Sequence, residues 1–173
     1  MIKDADGISF KDASNFIGYS LKADFSEIDI QPDKTKDLQS DKYLMPDAPY
    51  LEPSNRYTLV MDLDETLLHY EEVEDTGFLY VRPDAETFLQ KMSQFYDVVV
   101  FTAGTQEYAD WALTSLKDGA EHLISKRLYR QYTMPTCQGF YVKDLSRLGR
   151  DLSKTIIVDN TPECFMLQPE NGI

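Results

Sequence analysis

Apolar residues in this chain gather into short unbroken runs that stop at polar residues, and the three clearest runs share an ending. Thr58-Leu59-Val60-Met61 is followed by Asp62 and Asp64, Asp97-Val98-Val99-Val100-Phe101 by Thr102, and Thr155-Ile156-Ile157-Val158 by Asp159 and Asn160. Runs of strand length, rich in β-branched residues and without polar alternation, predict parallel strands buried on both faces. Parallel strands align their C-terminal ends, where open α/β sheets hold their ligands. Asp62, Asp64, Thr102, Asp159 and Asn160 are therefore predicted to meet along one sheet edge.

Between these runs the period changes. Leu67 to Val73 and Phe78 to Val81 flank Glu74-Asp75-Thr76-Gly77, which reads as a hairpin with glycine in its turn and a solvated acidic face and tip. A helix is predicted from Asp84, with Phe88, Leu89, Met92, Phe95 and Tyr96 at helical spacing. A second follows from Thr105, with Tyr108, Ala109, Ala112, Leu113 and Leu116 inward, Trp111 packing on its face and Gly119 just past its end. Leu128 to Tyr132 reads as a short strand, Lys143 opens a brief helix packed by Leu145 and Leu148 ahead of Gly149, and Thr161-Pro162 starts a last turn. This order predicts an α/β, doubly wound (Rossmann-like), mostly parallel sheet with a hairpin flap after the first strand. Residues 1–54 read as an acidic extension, with a weak helical pattern at Phe10, Phe16, Ile17 and Leu21 and a proline-containing linker; the domain occupies 55–173.

Length and composition narrow this picture. A chain of 173 residues with 42% hydrophobic content has room for one core and an extension, not for a second full domain. Seventeen basic against 30 acidic residues give a net charge of −13, which disfavours direct binding to nucleic acid or an anionic membrane. Cys137 and Cys164 lack metal-ligand or CxxC spacing and read as free thiols of a reducing compartment. No apolar stretch approaches the roughly 20 residues that span a bilayer, and the N-terminus has no secretory or transit pattern. The expectation is a soluble intracellular protein.

Carboxylates and an amide converging on one edge repel unless a cation joins them, and an all-oxygen site of this kind suits Mg²⁺. With a substrate phosphate completing the charge balance, Asp62 can attack phosphorus as a nucleophile. Asp64 can protonate the leaving oxygen and then deprotonate water, and the Thr102 hydroxyl can hold a phosphoryl oxygen. Phosphoryl transfer also requires positive charge on the equatorial oxygens; Lys143 is the basic residue best placed for it and Arg130 a second candidate. His69 follows the motif, but Asp64 already fills the base role.

The segments DLDETLLH (62–69), VVVFTA (98–103), YVKDLSRLGRDL (141–152) and TIIVDNTPECFMLQPENGI (155–173) resemble the motif regions of the FCP/SCP (NLI-interacting-factor-like) protein phosphatases of the haloacid dehalogenase superfamily. The resemblance runs from about Leu59 to Ile173. It implies Mg²⁺-dependent hydrolysis of phosphoserine or phosphothreonine on proteins, often in proline-containing tails such as that of RNA polymerase II. Carried over by motif, Asp62 is the nucleophile and a metal ligand, and Asp64 is the general acid/base whose backbone carbonyl also binds the metal. Thr102 and Lys143 are the phosphate-binding pair, Arg130 lies near the substrate phosphate, and Asn160 ligates the metal with Asp159 beside it.

Two departures from the family pattern stand out. Asp84 follows Arg82-Pro83 where relatives carry glycine or a small residue, and the elements that close the family domain after Pro-Glu-Asn-Gly-Ile are missing. The second predicts an open sheet edge, covered by residues 1–50, by a partner chain or by self-association. The competing reading is a non-catalytic scaffold or receptor, like the presequence receptor of the mitochondrial inner-membrane translocase. The intact set Asp62, Asp64, Thr102, Lys143 and Asn160 favours chemistry. A phosphatase would reside in nucleus or cytoplasm, a receptor in mitochondria. A receiver-type phosphoacceptor is disfavoured because no strand ending in an acidic pair precedes Leu59.

Overall fold

A computed structural model describes residues 49–74 and 76–173. The predicted runs become strands β1 (Tyr57–Met61), β4 (Tyr96–Phe101) and β8 (Thr155–Val158), joined by β5 (Ile124–Leu128) in a four-stranded parallel sheet of order β5-β4-β1-β8. Successive strand side chains point to opposite faces, so the core divides in two. Leu59, Met61, Val98 and Val100 face the layer that contains α1 (Ala85–Met92) and α2 (Gln106–Leu113). Val60, Val99, Phe101 and Ile157 face the other side. No α-helix among the described residues covers that second face; 3₁₀ turns at Leu145–Leu148 and Pro162–Phe165 pack there, with Tyr50 and Leu51. Those two residues precede the start expected at Asn55 and are buried.

The flap is an antiparallel pair, β2 (Leu68–Val73) and β3 (Thr76–Val81). Arg82 closes it onto the first strand's loop: its backbone N–H donates to Leu67 O (2.9 Å), its Nη2 to Glu65 O (2.8 Å) and its Nε to Thr66 O (2.5 Å). Helix α1 starts behind Asp84, which has φ 63° and no side-chain cap bond. Glycine enters this left-handed region without cost, whereas an aspartate there is strained. Helix α2 begins conventionally, with the Thr105 hydroxyl accepting from Tyr108 N.

Several expectations need correcting. Phe95 and Tyr96 do not continue α1: Phe95 is 63% exposed and Tyr96 opens β4. The strand read at Leu128–Tyr132 lies earlier, at 124–128, and Arg130–Tyr132 is a 3₁₀ turn. Arg130 turns back because its N–H donates to Gly104 O and its Nε to Ala103 O. Lys143 does not open a helix; it follows β7 (Tyr141–Val142), which pairs with β6 (Met134–Pro135), and precedes the turn at 145–148. The edge beyond β8 is not bare along its whole length. Ile173 N donates to Ile157 O (2.9 Å), and Gly172 bridges Ile157 in parallel register. The helical pattern expected near Phe10 lies outside the described residues, as does Asp75 at the flap tip. Among the described residues no helix is long and apolar enough to cross a membrane.

Candidate active site at the C-terminal edge of the sheet

The C-terminal ends of β1 and β8 bring two carboxylates beside one ammonium. Asp62 is held to β8 by its own N–H, which donates to Val158 O (2.9 Å). Lys143 arrives from the turn after β7, anchored by its N–H to Cys164 O, and its Nζ lies 2.6 Å from Asp62 Oδ1 and 2.6 Å from Asp159 Oδ2. All three are buried, Lys143 to 1% exposure. Burial pulls the lysine toward neutrality, but Asp62 and Asp159 outweigh it and hold the ammonium above its ordinary value. One cation cannot compensate two buried anions. Burial and the charge on Asp159 push the Asp62 carboxyl up to about 6 against the pull of Lys143. Burial and the same acids push the neighbouring Cys164 thiol up to about 12, so it stays protonated; Cys137 is exposed and also unpaired.

Asp64 belongs to a second, more open group. A cavity of about 380 Å³ is lined by Asp64, Ala103, Gly104, Thr105, Tyr108 and Arg130. The Tyr108 hydroxyl donates to Asp64 Oδ1, and burial with the Asp64 charge holds that phenol well above its ordinary range, fixing it as a donor. Glu65, beside Asp64, takes φ 61° and is kept there by Arg82. Thr102, at the end of β4, accepts from Gly104 N at Oγ1 (2.9 Å), which leaves the hydroxyl hydrogen for another acceptor. Arg130 carries its guanidinium 5.0 Å from the centre of the Tyr141 ring.

The structure thus brings Asp62, Lys143 and Asp159 into direct contact, places Asp64 and Arg130 on one cavity, buries Thr102 with its hydroxyl bonded to Gly104 of that cavity's lining, and leaves Asn160 exposed beside Asp159. His69 pairs with Glu65 and stacks on Tyr80, away from Asp62. Trp111 is 44% exposed, touching Tyr70 and Tyr108 rather than filling a core. Tyr108 and Arg82 were not foreseen as site residues. The one available signal for Tyr108 is its place one turn into a helix that starts at the sheet's C-terminal end.

Among the described residues no three His, Cys, Asp or Glu side chains cluster closely enough to hold a metal alone. Asp159 has both oxygens engaged, Oδ2 by Lys143 and Oδ1 by Thr161 N, so it serves as the lysine's holder. The remaining donors, the Asp62 carboxylate, a backbone carbonyl of Asp64 and the Asn160 amide, are all oxygen, and the surplus negative charge around Lys143 suits a hard divalent cation. These residues fit Mg²⁺.

The sequence profile of the NLI interacting factor-like phosphatases matches residues 57–173. Similar proteins include a "Probable C-terminal domain small phosphatase" of Dictyostelium discoideum, 43% identical over 132 residues, covering 67% of this chain and 42% of the relative. The "CTD small phosphatase-like protein" of Homo sapiens is 38% identical over 151 residues, covering 76% and 52%. "Carboxy-terminal domain RNA polymerase II polypeptide A small phosphatase 2" of Homo sapiens is 39% identical over 141 residues, covering 70% and 50%. The chain spans about half the length of the curated relatives it matches. Among solved structures, the fission yeast RNA polymerase II CTD phosphatase Fcp1 bound to beryllium fluoride superposes with a TM-score of 0.53 at 22% identity, covering 68% of this chain and 40% of that one. That likeness is one of fold.

Proposed function

Because the chain belongs to the NLI interacting factor-like phosphatase family, we propose that it is a Mg²⁺-dependent phosphatase that hydrolyses phosphoserine or phosphothreonine in proteins, with Asp62 as nucleophile. The observation that carries this reading is the buried Lys143 fixed 2.6 Å from Asp62, at the strand end next to the Asp64 cavity.

An Asp62 carboxylate oxygen attacks phosphorus and the bond from phosphorus to the seryl or threonyl oxygen breaks. Asp64, in its acid form, gives its proton to that departing oxygen. The aspartyl-phosphate on Asp62 is then attacked by water, whose proton returns to Asp64 as the bond from phosphorus to Asp62 breaks, releasing inorganic phosphate. Lys143, Arg130 and the Thr102 hydroxyl bind the phosphoryl oxygens, whose charge the transition state spreads. Asp62, the Asp64 carbonyl and Asn160 would hold Mg²⁺, whose charge would let an anionic carboxylate approach an anionic phosphate. Tyr108 keeps the Asp64 carboxyl turned to the cavity wall.

Phosphorylated protein tails, including that of RNA polymerase II, are the proposed substrates, since relatives carry that tail in their names. Nucleus or cytoplasm is the compartment such a substrate implies. The test is phosphate release from a small aryl phosphate, then from phosphorylated tail peptides, with and without Mg²⁺. Metal-dependent release that vanishes in Asp62→Asn supports the enzyme; no release from any substrate leaves the scaffold reading in its place.

A further inference from the structure

The stretch matched to the family begins at residue 57, yet one side chain ahead of it touches segments next to all three phosphate-binding groups. Tyr50 is 7% exposed on the second face of the sheet. Its ring meets Phe101 edge-on at 6.4 Å between centres and Tyr132 at 5.0 Å, and its hydroxyl donates to Tyr132 O (3.4 Å). Its backbone N–H donates to Arg147 O (3.0 Å), and the Arg147 guanidinium lies 5.5 Å from its ring centre.

Each of these contacts leads to one phosphate group. Phe101 is the residue before Thr102, and its ring centre lies 6.0 Å from Lys143 Nζ. Tyr132 ends the 3₁₀ turn that Arg130 begins. Arg147 sits in the turn that follows Lys143. The segment itself is seated firmly: Leu51 N donates to Leu148 O (3.1 Å), and Gly149, at φ 74°, leaves room for Pro49 where a Cβ would stand 2.5 Å from the proline Cβ.

We propose that Tyr50 is a positioning residue for the phosphatase site, a floor that fixes Thr102, Lys143 and Arg130 relative to one another from outside the family-matched segment. The inference rests on the phosphatase reading above. Aromatic edge-to-face contacts are directional, and misplacing reacting or anchoring groups by about 1 Å can cost up to about a hundredfold in rate. Removing the ring therefore loosens three ligands of one phosphate at once.

The experiment uses the full chain at a temperature where every variant is folded by circular dichroism, with Mg²⁺ present. It measures kcat/KM for an aryl phosphate and, independently of turnover, the affinity for inorganic phosphate by calorimetry. Tyr50→Leu is expected to lower kcat/KM about tenfold to thirtyfold and to weaken phosphate binding by about tenfold, whereas Tyr50→Phe stays within about twofold of wild type. Should Tyr50→Leu fail to fold, Tyr50→Met carries the same comparison. Leu51→Ala, which opens the same core cluster, controls for general softening and is expected to lower the melting temperature while both site readouts hold. Wild-type values for the ring-less variant, or an equal loss in Leu51→Ala, overturn the proposal. A wild-type protein that neither hydrolyses the ester nor binds phosphate sinks the phosphatase reading itself, and the inference with it.

Discussion

The two ends of the parallel sheet each hold a small charge cluster, and they are built in opposite senses. At the N-terminal end one acid, Asp97, lies between two arginines: Arg150 Nη1 is 2.7 Å from Oδ2 and Arg56 Nε 3.3 Å from Oδ1. Burial pushes the Asp97 carboxyl up, but the hydrogen bonds from Arg150 and Ser54 and the arginine charges prevail and hold it below the ordinary carboxylate range. At the C-terminal end one lysine lies between two acids, and Asp62 rises instead. The first cluster carries a surplus of positive charge, but Arg56 is half exposed and solvent screens it, so the acid is fully partnered and the cluster stabilises the fold. The second is buried and left short of positive charge, the state in which a site benefits from a bound cation before an anionic group can approach. A buried deficit of positive charge, rather than the mere presence of charge, separates the proposed functional end from the other one.

Substitutions at the two ends should therefore differ in kind. The largest effect is expected from Asp62→Asn, whose amide cannot attack phosphorus: turnover of an aryl phosphate should fall by on the order of 10⁴ or more, with the melting temperature held or raised. Near wild-type turnover would refute the nucleophile assignment. Lys143→Met strips the cation that bridges Asp62 and Asp159; loss of a buried partner costs about 3–5 kcal/mol, read by urea unfolding, and the Mg²⁺-dependent thermal shift with beryllofluoride should largely disappear. An unchanged shift would move phosphate binding to Arg130.

Arg150→Met probes the opposite end. It should cost about 1.5–3 kcal/mol, the scale of hydrogen bonds to charged groups, and leave kcat/KM untouched; an activity loss would erase the contrast between the ends. Its pH signature has a definite sign. Because the folded pKa of Asp97 is depressed, its contribution is present above the unfolded value of about 3.9 and is lost as pH falls through the folded value. In Arg150→Met the stability curve should flatten on that acid side.

Tyr108→Phe keeps the ring and removes the donor to Asp64. A drop of about tenfold in kcat with little change in KM, and an altered pH–rate profile, is expected if the phenol tunes the general acid. The smallest effect lies at neither end. Asp84→Gly should raise stability by about 0.5–1 kcal/mol, because a non-glycine residue at φ 63° is relieved, and should leave activity alone; a destabilised variant would mean that Asp84 makes an interaction worth more than its strain.

The pattern of runs in the chain was enough to determine three of the four sheet strands and the alignment of their polar ends. A strand buried on both faces must be apolar along its middle, as Leu59 to Met61, Val98 to Phe101 and Ile156 to Val158 are, and such a run has few alternative readings. That is why Asp62, Asp64, Thr102 and Asp159 were legible as one edge. Strand β5 was not, because it lies at the sheet's edge with Ser125 and Lys126 exposed, while the aromatic cluster after it anchors a turn. What only tertiary structure decided is the pairing of side chains that no local period encodes: Lys143 locked between two acids, Asp159 consumed in holding it, Asp64 turned to Tyr108, and Tyr50 reaching under the site from outside the matched segment. Periodicity reports which face a residue occupies, whereas these contacts depend on the distance between elements far apart in the chain, which is set by how both layers of the core pack.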